Sequence, residues 1–235
     1  MDFSKNYSCQ ALEEIQSAYW NASMVTLHPT ITYVRSMDGS MIHTSKVDVS
    51  DVLQHNASMV QAILEDLINN LKNDNPGHTN IHFWTDSPTS QYRNKSIFDL
   101  VSCSEAKCGI RASWHYFECG HGKGPCDGIG GTTKRNADNA VKQRKAVIQD
   151  GRDFMAWVSS ESASQIKYRY ISSEDYENNR KYVENRLKEI KTVKGTMKLH
   201  AIAAMANGRI LTKETPCVCP ECFGEDGFKE TTNCN

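Results

Sequence analysis

Residues 114–135 read WHYFECGHGKGPCDGIGGTTKR, and the fold turns on how this stretch is divided. An alternating aromatic run, Trp114 to Cys119, has the two-residue period of a half-buried strand. Five glycines follow between positions 120 and 130 (Gly120, Gly122, Gly124, Gly128 and Gly130), and one acidic residue, Asp127, stands among them. Glycine at that density marks backbone in unusual conformations, or backbone that another group must approach closely. A basic segment with Lys134, Arg135, Lys142, Arg144 and Lys145 comes next and reads as a helix from about Asp127 or Gly131 to Ile148. Strand, glycine turn and helix in that order make a crossover of an α/β protein.

Working back toward the N-terminus, Asn80–Thr85 (NIHFWT) is a short strand that ends on Asp86, and a helix is expected over Ser90–Val101. Apolar positions Val52, Met59, Val60, Ile63, Leu64, Leu67 and Leu71 predict a helix ending near Lys72, capped by Ser50 or Asp51. Met24–Arg35 and Met41–Val49 read as a hairpin closed by Met37-Asp38-Gly39-Ser40, with Pro29 confining part of the first strand to an edge or bulge. Asp2-Phe3-Ser4 reads as a piece of a still earlier strand. The expected fold is a mixed α/β sheet, an antiparallel three-strand meander followed by parallel strands, flanked by helices. This is residues 1–150; residues 151–235 read as a small α+β extension. That extension has helices near Arg152–Val158 and Glu174–Lys191, a strand at Gln165–Ile171, a hairpin around Asn207-Gly208, and a cysteine-rich tail.

Composition bounds the function. The chain has 235 residues, 39% hydrophobic and 23% charged, with a net charge of −1. No apolar run is long enough to span a membrane, and the start, MDFSKNYSCQ, lacks a signal-peptide pattern. We therefore expect a nuclear or cytoplasmic protein that is not secreted and has no membrane partner. Its nine cysteines would then be reduced thiols or metal ligands. Four Asn-x-Ser sequons, at Asn6, Asn21, Asn56 and Asn94, become chance matches. A near-neutral chain that binds nucleic acid must do so through a local patch.

In the expected strand order, Asp2 lies on the first strand, Asp86 at the carboxyl end of the fourth, and Asp127 at the start of the helix after the fifth. Such positions share the edge where sites form in parallel-type sheets. Each aspartate alone reads as a turn or helix cap; together the three form an oxygen-only ligand set suited to Mg²⁺ or Mn²⁺. Two such ions would ready one oxygen for attack and stabilise the leaving one in phosphoryl transfer. The glycine turn, with Lys123, can also form an anion-binding concavity or serve as a tight structural turn. It lacks the ending of a P-loop. Lys134, Arg135 and Lys142 would face a phosphate backbone or simply solvent. Cys126 with His115 or His121 carries no signature of a nucleophile. Trp84 and Trp114 read as core. CVCPEC, with Cys217, Cys219 and Cys222, joins Cys234 as either four zinc thiolates or free thiols.

The segments DFSKNY (2–7), EEIQSAYW (13–20), VTLHP (25–29), FWTDSPTSQYRNK (83–95) and WHYFECGHGKGPCDGIGGTTKR (114–135) together resemble a group of transposon-derived animal proteins. That group is similar to the ribonuclease H-like transposase and integrase superfamily. The resemblance covers roughly residues 2–150 and is most specific over the glycine turn. It implies a ribonuclease H-like fold and a three-aspartate centre at Asp2, Asp86 and Asp127 holding two Mg²⁺ or Mn²⁺ ions. It also implies a DNA partner met by Lys123, Lys134, Arg135 and Lys142, and it allows for a homo-oligomer. The chain departs from that pattern at Lys5, where an acid is usual, at Ser87, where glycine is, and at Tyr19, where histidine is common. Because the chain begins one residue before Asp2, it reads as a shortened or domesticated copy. Three functions follow as alternatives: a metal-dependent DNA nuclease or strand transferase, a non-catalytic nucleic-acid or protein-binding module, and a zinc-linked interaction protein.

Overall fold

The computed structural model describes residues 1–9, 23–36, 38–118, 124–161, 165–205, 208–215 and 229–231. It is a mixed α/β protein, and its strands fall into two mixed sheets rather than the single sheet expected. The two sheets belong to two compact units. The first comprises Met1–Gln54 and Lys123–Asp175, the second His55–Gly122 and Tyr176–Asn235. Both units are discontinuous in sequence, and segments on either side of residue 150 build both sheets.

In the first unit, β1 (Tyr7–Ser8), β2 (Met24–Arg35) and β3 (Met41–Ser50) form the antiparallel meander, and β6 (Ile166–Tyr170) adds to β3 in parallel. The β2–β3 turn needs Gly39, whose φ of 84° lies in the left-handed region, and Asp38 Oδ1 accepts the Ser40 amide at 2.9 Å. Pro29 sits within β2 opposite Val47. Its carbonyl accepts the Asp2 amide at 3.1 Å, so its missing N–H faces the N-terminal segment and costs the β2–β3 ladder nothing. One face of this sheet carries Val25, Leu27, Val47 and Val49. It packs beneath α3 (Pro125–Lys142) and α4 (Gly151–Ser160), with Ala137, Ala140, Val141, Phe154, Trp157 and Val158 completing the core. The other face is polar yet buried, with Thr26, His28, Thr30, Asp48 and Ser50. Asp48 Oδ1 pairs with Arg169 at 2.6 Å and Lys46 at 3.1 Å, while burial pushes its carboxyl upward.

In the second unit, β4 (Asn80–Thr85) and β5 (Arg111–Tyr116) run parallel around the crossover helix α2 (Lys95–Cys108). Antiparallel β7 (Ala201–Ala204), β8 (Ile210–Lys213) and β9 (Lys229–Thr231) extend the sheet from β5. Helix α2 packs on β5 and β7 and against α1 (Ala57–Asp74). The division between units falls in the first turn of α5 (Ser173–Leu187). Arg186 of that helix grips Asp99 of α2 through two nitrogens, at 2.5 and 3.0 Å.

Helix α1 starts later than expected. Ser50 Oγ donates to the Ile171 carbonyl at 2.9 Å, and Asp51 accepts the Gly151 amide at 2.6 Å and the Tyr170 hydroxyl at 2.5 Å. With both side chains so engaged, the helix is capped by Asn56, whose Oδ1 accepts the amides of Ser58 and Met59. Asn94 caps α2 in the same way through Ser96 and Ile97. Two of the four sequons are therefore helix caps. Helix α3 begins with Pro125 at its first position and stops at Lys142, where Arg144 takes a φ of 57°. Arg144 and Lys145 lie beyond it. Residues 11–20, which could form a short helix or an irregular link, lie outside the described residues.

Candidate functional site

Asp2 is held along β2. Its amide bonds to Pro29 and the Ser4 amide to the Leu27 carbonyl at 3.0 Å, so the N-terminal segment continues the antiparallel alignment of β1. Asp127 is an exposed residue in the first turn of α3, a position where a carboxylate is favoured by the helix dipole. The same helix lies directly on the Asp2 segment. A Cβ built on Gly130 would meet Ser4 Oγ at 2.7 Å, Ser4 Cβ at 3.0 Å and Pro29 Cγ at 3.3 Å, so only glycine allows the approach. One turn on, Lys134 Nζ donates to the Lys5 carbonyl at 3.2 Å. Partial burial lowers the Lys134 pKa and the Lys5 charge adds to this, while Asp127 and Asp138 act in the opposite sense.

Asp86 belongs to the second unit, directly after β4. Backbone pairing reaches it, since the Phe117 amide bonds to the Thr85 carbonyl at 2.9 Å. Its side chain is half-buried, with Oδ1 shielded from solvent. The loop that follows is tightly built. The amides of Gln91, Tyr92 and Arg93 all turn onto the Pro88 carbonyl, and Tyr116 Oη donates to the Tyr92 carbonyl at 2.8 Å.

The expected aspartates are thus divided two to one, Asp2 and Asp127 in one unit and Asp86 in the other. Neither unit by itself groups three His, Cys, Asp or Glu side chains as metal ligands among its described residues. Of the expected phosphate contacts, Lys134 is half-buried while Arg135 and Lys142 are exposed on α3. Lys123 lies outside the described residues, as do His121 and Cys217, Cys219, Cys222 and Cys234. His115 is in the second unit and Cys126 in the first. Trp114 is fully buried and donates to Thr85 Oγ1 at 2.9 Å, as a core residue should, whereas Trp84 is half-buried and stacks on His115 at 4.8 Å. No helix among the described residues is long and apolar enough to cross a membrane.

The sequence pattern of a domain of unknown function (DUF8701) matches residues 1–216. The chain belongs to that family. The match runs from the Asp2 segment through β8 and so includes all three aspartates in both units. Comparison with curated proteins and with solved structures gives no match.

Two features of the second unit escaped the sequence. His82 Nδ1, Ser113 Oγ and His115 Nε2 form a chain with spacings of 2.7 and 2.8 Å across β4 and β5, and burial pulls the His115 pKa down to about 4, with His82 adding to the effect. Register explains the chain, since His82 pairs with Ser113 and Trp84 with His115. The second feature is Arg93, buried at 4% exposure. A lone arginine in a polar loop gives no pattern by which to find it.

Proposed function

We propose that the chain is a transposase-derived, ribonuclease H-like domain whose chemistry is metal-dependent attack on a DNA phosphodiester. Asp2, Asp86 and Asp127 would be the carboxylates that hold two Mg²⁺ or Mn²⁺ ions. The observation that carries this reading is the seat of α3 on the N-terminal segment. Gly130 lets the helix down onto Ser4 and Pro29, so the turn bearing Asp127 and the strand-like residues bearing Asp2 belong to one packed substructure. Asp86 at the carboxyl end of β4, followed by a crossover to parallel β5, suits the third carboxylate.

The donor set fits hard divalent cations, being carboxylate oxygens, with Asp127 open to solvent and one oxygen of Asp86 sheltered. Ions held there would supply positive charge at the attacking and leaving oxygens of an in-line displacement. The chain's own part is to hold Asp127 rigid at a helix start and to set Lys134, Arg135 and Lys142 along the same helix as contacts for the phosphate backbone.

A second reading is a non-catalytic nucleic-acid-binding module, and Lys5 favours it. A lysine stands where the resembling proteins usually carry an acid, and its charge opposes that of Lys134. Mn²⁺-dependent nicking of supercoiled DNA by wild type and Asp127→Asn decides between them. Nicking by wild type that falls to background in the variant is expected. Salt-sensitive DNA binding without nicking would favour the module, and absence of both would sink either DNA reading.

A further inference from the structure

Arg93 is a buried cation with no acid beside it. Its guanidinium lies 4.6 Å from the centre of the Tyr116 ring, and Nη1 donates to the Met197 carbonyl at 3.0 Å. Nε and Nη2 are shielded from solvent and have no hydrogen-bond partner. Arginine cannot shed its proton in a protein, so this charge is not relieved by neutralisation as a buried lysine's would be. Burying an uncompensated cation with open donors is costly, and native structures keep such groups where a ligand completes them. The planar fork of an arginine matches the paired oxygens of a phosphate.

The segment over this side chain has a matching character. Residues 188–198 read KEIKTVKGTMK, and Lys188, Lys191, Lys194 and Lys198 are all exposed. The strap is anchored by buried Val193 and Leu199. Between them Gly195, at a φ of 72°, starts a short 3-10 turn over Thr196–Lys198. Met197, which supplies the carbonyl on Arg93, has its own side chain 65% exposed. One acid, Glu189, lies in the strap, and it is paired with Arg186.

We propose that Arg93 and this lysine strap form a phosphate-binding site, in which an incoming phosphate displaces the Met197 carbonyl and takes the open Nε and Nη2 donors. Lys194 and Lys198 meet the neighbouring phosphates of the same strand. The ligand is the backbone of a single-stranded nucleic acid. That choice over a free phosphate rests on the function proposed above, whereas the anion site itself needs none of the aspartates. The loop from Asp86 to Arg93 would then hold a carboxylate at one end and the phosphate-gripping fork at the other.

The test is binding without metal. Anisotropy of a labelled single-stranded oligonucleotide is measured in EDTA for the full chain, for Arg93→Met, Arg93→Lys and the Lys194→Gln/Lys198→Gln double variant. Thermal unfolding is followed with and without millimolar pyrophosphate. Arg93→Met is expected to bind the oligonucleotide about tenfold or more weakly. It should lose the pyrophosphate-induced rise in Tm yet be at least as stable as wild type when no anion is present. The double lysine variant should have a salt dependence shallower by about one. Unchanged affinity and an unchanged pyrophosphate response in Arg93→Met would overturn the site. Should that variant fail to fold, unchanged affinity in folded Arg93→Lys would do the same. Loss of the pyrophosphate response alone, with oligonucleotide binding intact, overturns the nucleic-acid assignment in favour of a free phosphate compound. Arg93-dependent binding in EDTA by a protein that never nicks DNA would defeat the metal chemistry and leave this site standing.

Discussion

His115 illustrates what burial does to one side chain. It is fully buried, its Nε2 is taken by Ser113, and its pKa is depressed to about 4 by desolvation first and by His82 second. The unfolded chain takes up a proton on this residue below about pH 6.5, while the folded protein refuses it until about pH 4. The stability it contributes is therefore complete above pH 6.5 and is lost as pH falls through that window, by at most roughly 3 kcal/mol. Urea melts between pH 7 and pH 4 should show this loss in wild type and a flatter profile in His115→Gln. A profile equally steep in the variant would assign the loss to other groups. At this scale the sequence said little. Asn56 and Asn94 stood out only as sequons, and their capping role emerges from φ and ψ at the helix starts. Arg93 and His115 are ordinary residues in ordinary strings until burial is known.

Elements were legible where periodicity could speak. The strand at Asn80–Thr85 lies where its composition predicts, and helices α4 and α5 fall within a few residues of their expected spans. The start of α1 was not legible, because Ser50 and Asp51 are drawn off by partners 121 and 100 residues away. Glycine-rich α3 gives an internal comparison. Alanine in a helix interior is favoured over glycine by about 1 kcal/mol. Gly128 and Gly131 have nothing within 4 Å of a built Cβ, so Gly128→Ala and Gly131→Ala should each raise stability by about 0.5–1 kcal/mol. Gly130→Ala should do the reverse, losing about 1–3 kcal/mol. The serine hydroxyl could turn aside, but Ser4 Cβ and the Pro29 ring could not. Midpoints of urea unfolding for the three variants measure the contrast. Equal shifts in all three would mean that α3 does not sit on the N-terminal segment as described.

For the whole molecule, long-range pairing decided what the sequence left open. Nothing in QIKYRYI says that it will lie parallel to β3, or that AIAA will lie against β5; both pairings depend on which edges remain free once nearer strands have formed. The α/β class and the β1–β2–β3 meander followed from order and pattern, while the number of sheets did not. A fragment of residues 1–150 would lack β6 and α4, and with them Phe154, Trp157 and Val158 from the core of the first unit. It would also lack β7, the antiparallel neighbour of β5. Such a fragment is expected to show no cooperative thermal transition by circular dichroism, whereas the full chain should melt cooperatively. A cooperative melt of the fragment would show that the later strands are dispensable.

The interleaving of the two units also bears on how the protein is born. Synthesis is vectorial, yet β3 is complete at Ser50 while the α4 and β6 segments that cover and extend it begin at Gly151 and Ile166. At about 5–20 residues per second, the roughly one hundred residues between them take some 5–20 s to emerge. Throughout that interval Val47 and Val49 await their cover, and the outer edge of β3 is open to any other strand. A nascent chain so arranged depends on a holding chaperone at the ribosome exit, and its yield should respond to elongation rate.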